Sequence, residues 1–421
     1  MLDLRFIREN PELVKAGIAR KNDQSDIDAI LKLDERRREI IRQVESKKAE
    51  KNKASGEIAK KKKAGESADD AIAAMRQLGD DITALDNDLR DLESDLKIRL
   101  DWIPNIPHES VPVGTDESAN VVVREWGEIP KPSFEVKPHW EIGEKLGILD
   151  LTTAANLSGS GFSLLRGAGA RLQRALINYM LDTHISNGFT EVAPPFIVTA
   201  DTMYGTGQLP KLADDMYRIE ADDMYLIPTA EVPITNMYKQ TILDYKDLPL
   251  YMVGYTPCFR REAGAAGKDT RGMIRLHQFE KVELVKIVRP ETSYDELESL
   301  LKQAEKVLQG LKIPYRISTL ASGDLSFAAA KCYDIELWAA GVQKYLEISS
   351  VSNFEDFQAR RMNCRFRDED RQVKHPHTLN GSGTALARLI PAILENYQNP
   401  DGSVTIPEAL RPYMGGMEKI G

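Results

Sequence analysis

From Ile30 onward, apolar or long-stemmed side chains return every three or four residues, at Ile30, Leu33, Arg37, Ile40, Val44, Lys47, Lys51, Ala54 and Ile58. Few architectures accept such a pattern, because a sustained heptad seam requires a long helix lying against another helix. A second seam supplies the partner: Met75, Leu78, Ile82, Leu85, Leu89, Leu92 and Leu96 keep the spacing without a break. Ala64-Gly65-Glu66-Ser67 lies between the two and reads as a turn. The spacing therefore predicts two antiparallel helices over about residues 28–98. At about 1.5 Å per residue, roughly 35 residues extend on the order of 50 Å, more than a compact domain needs, so an arm projecting into solvent is expected.

The two helices carry opposite charge. Ile30 to Gly65 holds 13 Lys and Arg against 6 acids, whereas Glu66 to Arg99 holds 4 against 10. Complementary helices pair better, which accounts for most of the pattern. Lys60, Lys61, Lys62 and Lys63 crowd the tip, where little of the partner helix is left to neutralise them. Unneutralised lysines gain most from displacing phosphate counterions, so these four read as a nucleic-acid contact in preference to a solvated charge run.

At 421 residues the chain is too long for one ordinary core, and its 29% charged and 42% apolar residues are those of a soluble globular protein. Pro104, Pro107 and Pro112 stop the second helix and mark a linker. Two domains are expected, over residues 1–103 and 104–421. Cys258, Cys332 and Cys364 follow no CxxC spacing, so neither a disulfide framework nor a cysteine-rich zinc site is supported, and a reducing cytosol fits. MLDLRFIRENPEL has acids among its apolar residues and no signal-peptide core, and no later run is long enough to span a bilayer. A cytoplasmic protein without membrane contact is expected. The net charge of −9 argues against a general nucleic-acid binder.

Beyond about Val121, short β-rich runs mix with helical stretches such as Ala170 to Asn187 and Ser293 to Leu311. The runs do not alternate regularly with helices, so the expected class is α+β, with an antiparallel sheet flanked by helices. Pro249 to Glu262 and Met273 to Val288 read as two strands of a long hairpin, joined by a loop with Gly264, Gly267, Lys268, Arg271 and Gly272. Alternation then points Arg275, His277, Phe279, Lys281 and Glu283 to one side of the sheet. If Arg260 lies across from them, that face offers guanidinium groups for phosphate, a ring for a base and an acid for an amine, the needs of an adenylate-forming site. A solvated sheet face would alternate in the same way.

Phe259-Arg260-Arg261-Glu262, the glycine-bearing loop and Arg275-Leu276-His277-Gln278-Phe279-Glu280-Lys281-Val282-Glu283 resemble the second signature motif of class II aminoacyl-tRNA synthetases, in the seryl-tRNA synthetase version. Other segments resemble that family in the right order. Gly188 to Pro195 is similar to the first class II motif, at the dimer interface. Gly205 to Lys211 and Thr229-Ala230-Glu231-Val232-Pro233 resemble loops around the serine pocket. Glu347 to Asn353 resembles the magnesium and ATP segment, and Thr378 to Gly383 with Ala387-Arg388 the third motif.

The resemblance implies the class II synthetase fold and ATP-dependent ligation of serine to tRNA(Ser), with tRNA(Sec) a further substrate, by a homodimer. By it, Arg260, Glu262, Arg275 and Arg388 carry the catalysis. Arg261, Leu276, Phe279, Glu347, Ile348, Ser349 and Ser350 join Arg260, Glu262 and Arg388 around ATP, with Phe279 stacked on adenine. Glu347 and Ser350 would hold Mg2+. Thr229, Ala230, Glu231, Glu283 and Ser382 read serine together with Arg260. Lys60 to Lys63, Lys268 and Arg271 are the candidate tRNA contacts. Zinc-dependent variants use cysteine and other ligands for the amine; no such arrangement is present, and the ordinary zinc-free bacterial type is implied.

Three competing readings use the same segments differently. A non-catalytic tRNA-binding paralogue would lack the site residues, a relative that loads a carrier protein would lack the arm, and a structural coiled-coil protein would not need the glycine-rich hairpin.

Overall fold

The two seams form two helices, α1 (Ile27–Ala64) and α2 (Asp69–Asp101). Asp26 caps the first by accepting the Ala29 N–H at 2.9 Å, and Gly65 ends it in the left-handed region at φ 74°. Ile30, Ile40, Val44 and Ile58 on one helix and Ile82, Leu92 and Leu96 on the other are buried, as the three-four spacing requires. Arg37 meets Glu93 at 2.8 Å and Lys47 meets Asp81 at 2.7 Å, so part of the opposite charge is spent in pairing the helices. Lys60 to Lys63 are exposed in the last turns of α1.

The structure, a computed structural model, describes residues 1–263 and 271–421. It divides into two units: residues 2–19 with 23–103, which hold the helical pair, and Met1 and residues 20–22 with 104–421.

The second unit is built on eight strands: β1 (Val121–Trp126), β2 (Thr190–Glu191), β3 (Leu250–Phe259), β4 (Gln278–Val288), β5 (Tyr315–Thr319), β6 (Lys331–Ala339), β7 (Lys344–Asn353) and β8 (His377–Ala385). Their order is β1-β5-β6-β7-β8-β4-β3-β2, antiparallel throughout except for the β2 edge, which runs parallel to β3. Four helices matter for the site: α3 (His139–Lys145), α4 (Ala168–Ile185), α5 (Ser293–Gly310) and α6 (Leu386–Asn396).

β4 lies inside the sheet and follows a period of two. Val282, Leu284 and Val288 enter a large core with Leu172 and Leu176 of α4, Leu297 and Leu301 of α5, and Leu389 and Ile390 of α6. From Lys281 onward the odd-numbered residues face away from that core, whereas Phe279 also packs against it. Val285 and Ile287 join a smaller cluster with Ala230 and Met252, and Phe279, Lys281 and Glu283 continue the same row. Lys286 lies on the core side, where Glu296 takes its ammonium at 2.6 Å.

The hairpin strands are shorter than the sequence suggests. The ladder runs only from Leu250 to Phe259 and from Gln278 to Val288, so Arg275 and His277 belong to no strand and alternation does not place them. The backbone turns instead. Glu262 has φ 52° and Gly272 φ 75°, and the His277 N–H bonds to Gly161 O at 2.8 Å, outside the hairpin.

Candidate active site

Register settles what strand periodicity leaves open. Cys258 pairs with Phe279, Thr256 with Lys281 and Gly254 with Glu283, and the Arg260 N–H continues the pairing by donating to His277 O at 2.9 Å. Arg260 therefore falls on the Phe279 side, its guanidinium 5.2 Å from the centre of that ring. On the other edge of β4, Glu283 pairs with Ser382, and a bulge between Ser382 and Thr384 follows at once.

This face floors a cavity of about 1170 Å³ within the second unit. Of the sequence-predicted residues, Arg260, Glu262, Arg275, Leu276, Phe279, Glu347, Ile348, Ser350, Arg388, Thr229, Glu231, Glu283 and Ser382 line it. Three other residues of the predicted ATP and serine sites do not. The Arg261 N–H and guanidinium bond to Asp215 O and Asp214 O, at 2.9 and 3.3 Å. The Ser349 hydroxyl donates to Ser382 O at 2.6 Å, and Ala230 is packed in the smaller cluster. Arg271 lies over the Trp140 ring at 4.8 Å, and Lys268 is outside the described residues.

Two chemically distinct groups share the cavity. In the cationic group, Arg275 bonds Glu262 at 2.8 Å, while Arg388 contacts Glu347 O and stands 3.4 Å from its carboxylate. Desolvation by the cavity wall opposes ionisation of Glu347, although 47% of its side chain meets solvent, and Arg388, Ser350 and Arg260 outweigh it and hold the carboxyl below its ordinary range. Asp334, in register with Ser350 across β6 and β7, is pushed well up by burial and by the Glu347 charge.

In the second group, Lys281 donates to Thr229 Oγ1 at 2.8 Å and contacts the Glu283 carboxylate, and the Thr229 hydroxyl donates to Glu283 at 3.2 Å. Glu231 accepts from Gln358 at 2.7 Å and is pushed up to about 7 by burial and then by Glu283. A small ammonium group would find two carboxylates here and a ring of hydroxyl and amide partners.

Lys281 belongs to the predicted face and its parity between Phe279 and Glu283 marks it, yet the family resemblance gives it no role. Asp334 and Gln358 left no comparable signal, because strand register and a short helix bring them in. Among the described residues no group of three or more His, Cys, Asp and Glu is arranged for a metal ion.

An antiparallel sheet bearing arginines, a ring and paired acids on one face is the core of the class II aminoacyl-tRNA synthetases, and the family model of the tRNA synthetase class II core domain (G, H, P, S and T) matches residues 216–397. The Seryl-tRNA synthetase N-terminal domain model matches residues 1–107. The serine–tRNA ligases of Carboxydothermus hydrogenoformans and Syntrophomonas wolfei are each 55% identical to the chain, over 99% of it and 98% of the first relative, and 100% of it and 99% of the second. The seryl-tRNA synthetase of Pyrococcus horikoshii, solved with ATP, superposes with a TM-score of 0.95 at 42% identity, covering 100% of this chain and 99% of that one. The chain belongs to the seryl-tRNA synthetase family and is an ATP-dependent aminoacyl-tRNA ligase.

Proposed function

We propose that the protein activates L-serine with ATP to seryl-adenylate and transfers the seryl group to the 3′ end of tRNA(Ser), and also of tRNA(Sec), as a cytoplasmic homodimer. The observation that carries this reading is the convergence of Arg260, Phe279, Glu283 and Ser382 on one cavity.

In the first step the serine carboxylate attacks the α-phosphate and pyrophosphate leaves. Two anions must be brought together while charge builds, which fixed cations do without reorganising. Arg260 holds the α-phosphate and the serine carboxylate. Its present place over Phe279 means that the guanidinium leaves the ring when adenine stacks there. Glu262 orients Arg275 toward the nucleotide, and Arg388 meets the triphosphate from α6.

Glu347 and Ser350, joined by a 3.2 Å hydrogen bond, offer the hard oxygen donors that magnesium takes, and the repulsion between Glu347 and Asp334 is one a divalent cation relieves. They would hold the Mg2+ that arrives with ATP, whose charge the phosphates share. The serine ammonium is taken by Glu283 and Glu231, not by zinc. Its hydroxyl is read by Thr229 and Ser382, and alanine would leave those partners unpaired. In the second step a ribose hydroxyl of tRNA attacks the adenylate carbonyl. The helical arm, with Lys60 to Lys63, reads the backbone shape of the long variable arm.

Serine-dependent ATP–pyrophosphate exchange, followed by charging of total tRNA, tests the reading. Serine is expected to support exchange and alanine not, with charging confined to tRNA(Ser) and tRNA(Sec). Exchange without charging would point to a carrier-protein loader, and neither activity to a non-catalytic paralogue.

A further inference from the structure

The return segment of the hairpin, from Arg271 to Leu276, forms no ladder with β3, so beyond the Glu262 ion pair another element must fix the main chain that leads into Arg275. α3 does so through a buried side chain. His139 is fully buried; its Nε2 lies 3.0 Å from the Met273 nitrogen and its Nδ1 2.8 Å from Glu395 Oε1. A peptide N–H can only donate, so Nε2 presents its lone pair and the ring proton on Nδ1 goes to the carboxylate. The hydrogen-bond network thus assigns the tautomer. Glu395 also accepts the His139 N–H at 3.0 Å and the Gly341 N–H at 2.8 Å. Gly272 sits so close that a Cβ there would lie 2.1 Å from His139 Nε2. Glu395 is on α6, seven residues and about two turns after Arg388.

We propose that His139 is a positioning residue for nucleotide activation. It ties the main chain of Met273, two residues before Arg275, to the helix that carries Arg388, so that both arginines meet the triphosphate from one frame. This rests on the phosphate roles given to Arg275 and Arg388 above.

Two substitutions separate positioning from bulk support. His139→Asn keeps a donor near Nδ1 but offers no acceptor at Nε2, whereas His139→Gln reaches the Nε2 position with an amide oxygen. In pyrophosphate exchange by the full chain, His139→Asn is expected to raise KM for ATP about tenfold, as loss of one buried hydrogen bond would. KM for serine stays within about twofold, and His139→Gln restores most of the loss. A fall in kcat alone, equal in both variants with neither KM changed, overturns the proposal. Hydrogen exchange at the Met273 amide tests the same tie without catalysis. It should be at least about tenfold faster in His139→Asn than in the native chain or His139→Gln. Equal protection in all three also overturns the proposal. An unsubstituted chain with no serine-dependent exchange would sink the functional reading alone, since the amide still reports on His139.

Discussion

The helical pair and the cavity face handle charge in opposite ways. Along α1 and α2, cations meet acids across the surface, as at Arg37 with Glu93, and each pair is half in water, where its energy is small and one partner can be replaced. In the cavity, Lys281 and Glu283 are almost fully buried, while Glu347, which keeps nearly half its side chain in solvent, is held below the ordinary carboxyl range by Arg388, Ser350 and Arg260 around it. On the proposed assignment, a surface that grips a polyanion by shape tolerates the loss of single charges. A site that must stabilise charge as it forms does not.

The sharpest way to break this contrast is Arg260→Ala. It should lower serine-dependent pyrophosphate exchange by about three powers of ten or more while leaving the melting midpoint nearly unchanged. Normal exchange by the folded variant would refute the role of Arg260. Next in size, replacing Ile30 to Leu96 by a short glycine linker should reduce tRNA charging by about a hundredfold and leave exchange within about twofold. Equal losses of both activities would erase the division of labour.

A smaller effect sharpens the contrast through pH. Glu231 is raised from 4.5 to about 7 by burial and then by Glu283, so below that pH it is protonated and attracts an ammonium less. KM for serine should rise several-fold as pH falls through about 7, and Glu231→Gln should flatten the profile. The stability sign follows from the same shift. A raised carboxyl favours the folded state at pH below 4.5, and this is lost as pH climbs through about 7, so Glu231→Gln gains stability over the native chain only at the alkaline end. An unchanged pH profile for serine would remove Glu231 from the amine site. The smallest expected effect is that of Arg37→Ala, which should move the melting midpoint by no more than about two degrees and leave exchange intact.

How much of the molecule is legible in its sequence depends on how far apart the interacting residues are. Heptads record contacts within a turn or two of a helix, so spacing alone assigns Ile40, Val44 and Leu92 to the seam. Strand parity is also local, and it correctly groups Phe279, Lys281 and Glu283. Parity stops being the cause at Arg275 and His277, where the backbone leaves the ladder and Gly161 O and His139 take N–H groups that a longer hairpin would have paired: Arg275 still reaches the cavity, whereas His277 does not line it. Nothing local in the sequence announces those two partners. Asp334 escapes for a related reason, since its place beside Ser350 is a matter of register between β6 and β7.

Two carboxylates and one ammonium meet in the pocket of Glu231, Glu283 and Lys281, and near neutrality one of the acids still holds part of a proton. On the proposed assignment, an arriving serine ammonium displaces that proton, which makes substrate capture a proton-releasing event. The heat of serine binding measured near pH 7 should then differ between buffers of unequal ionisation enthalpy, and the difference should vanish at a pH well above the titration of Glu231.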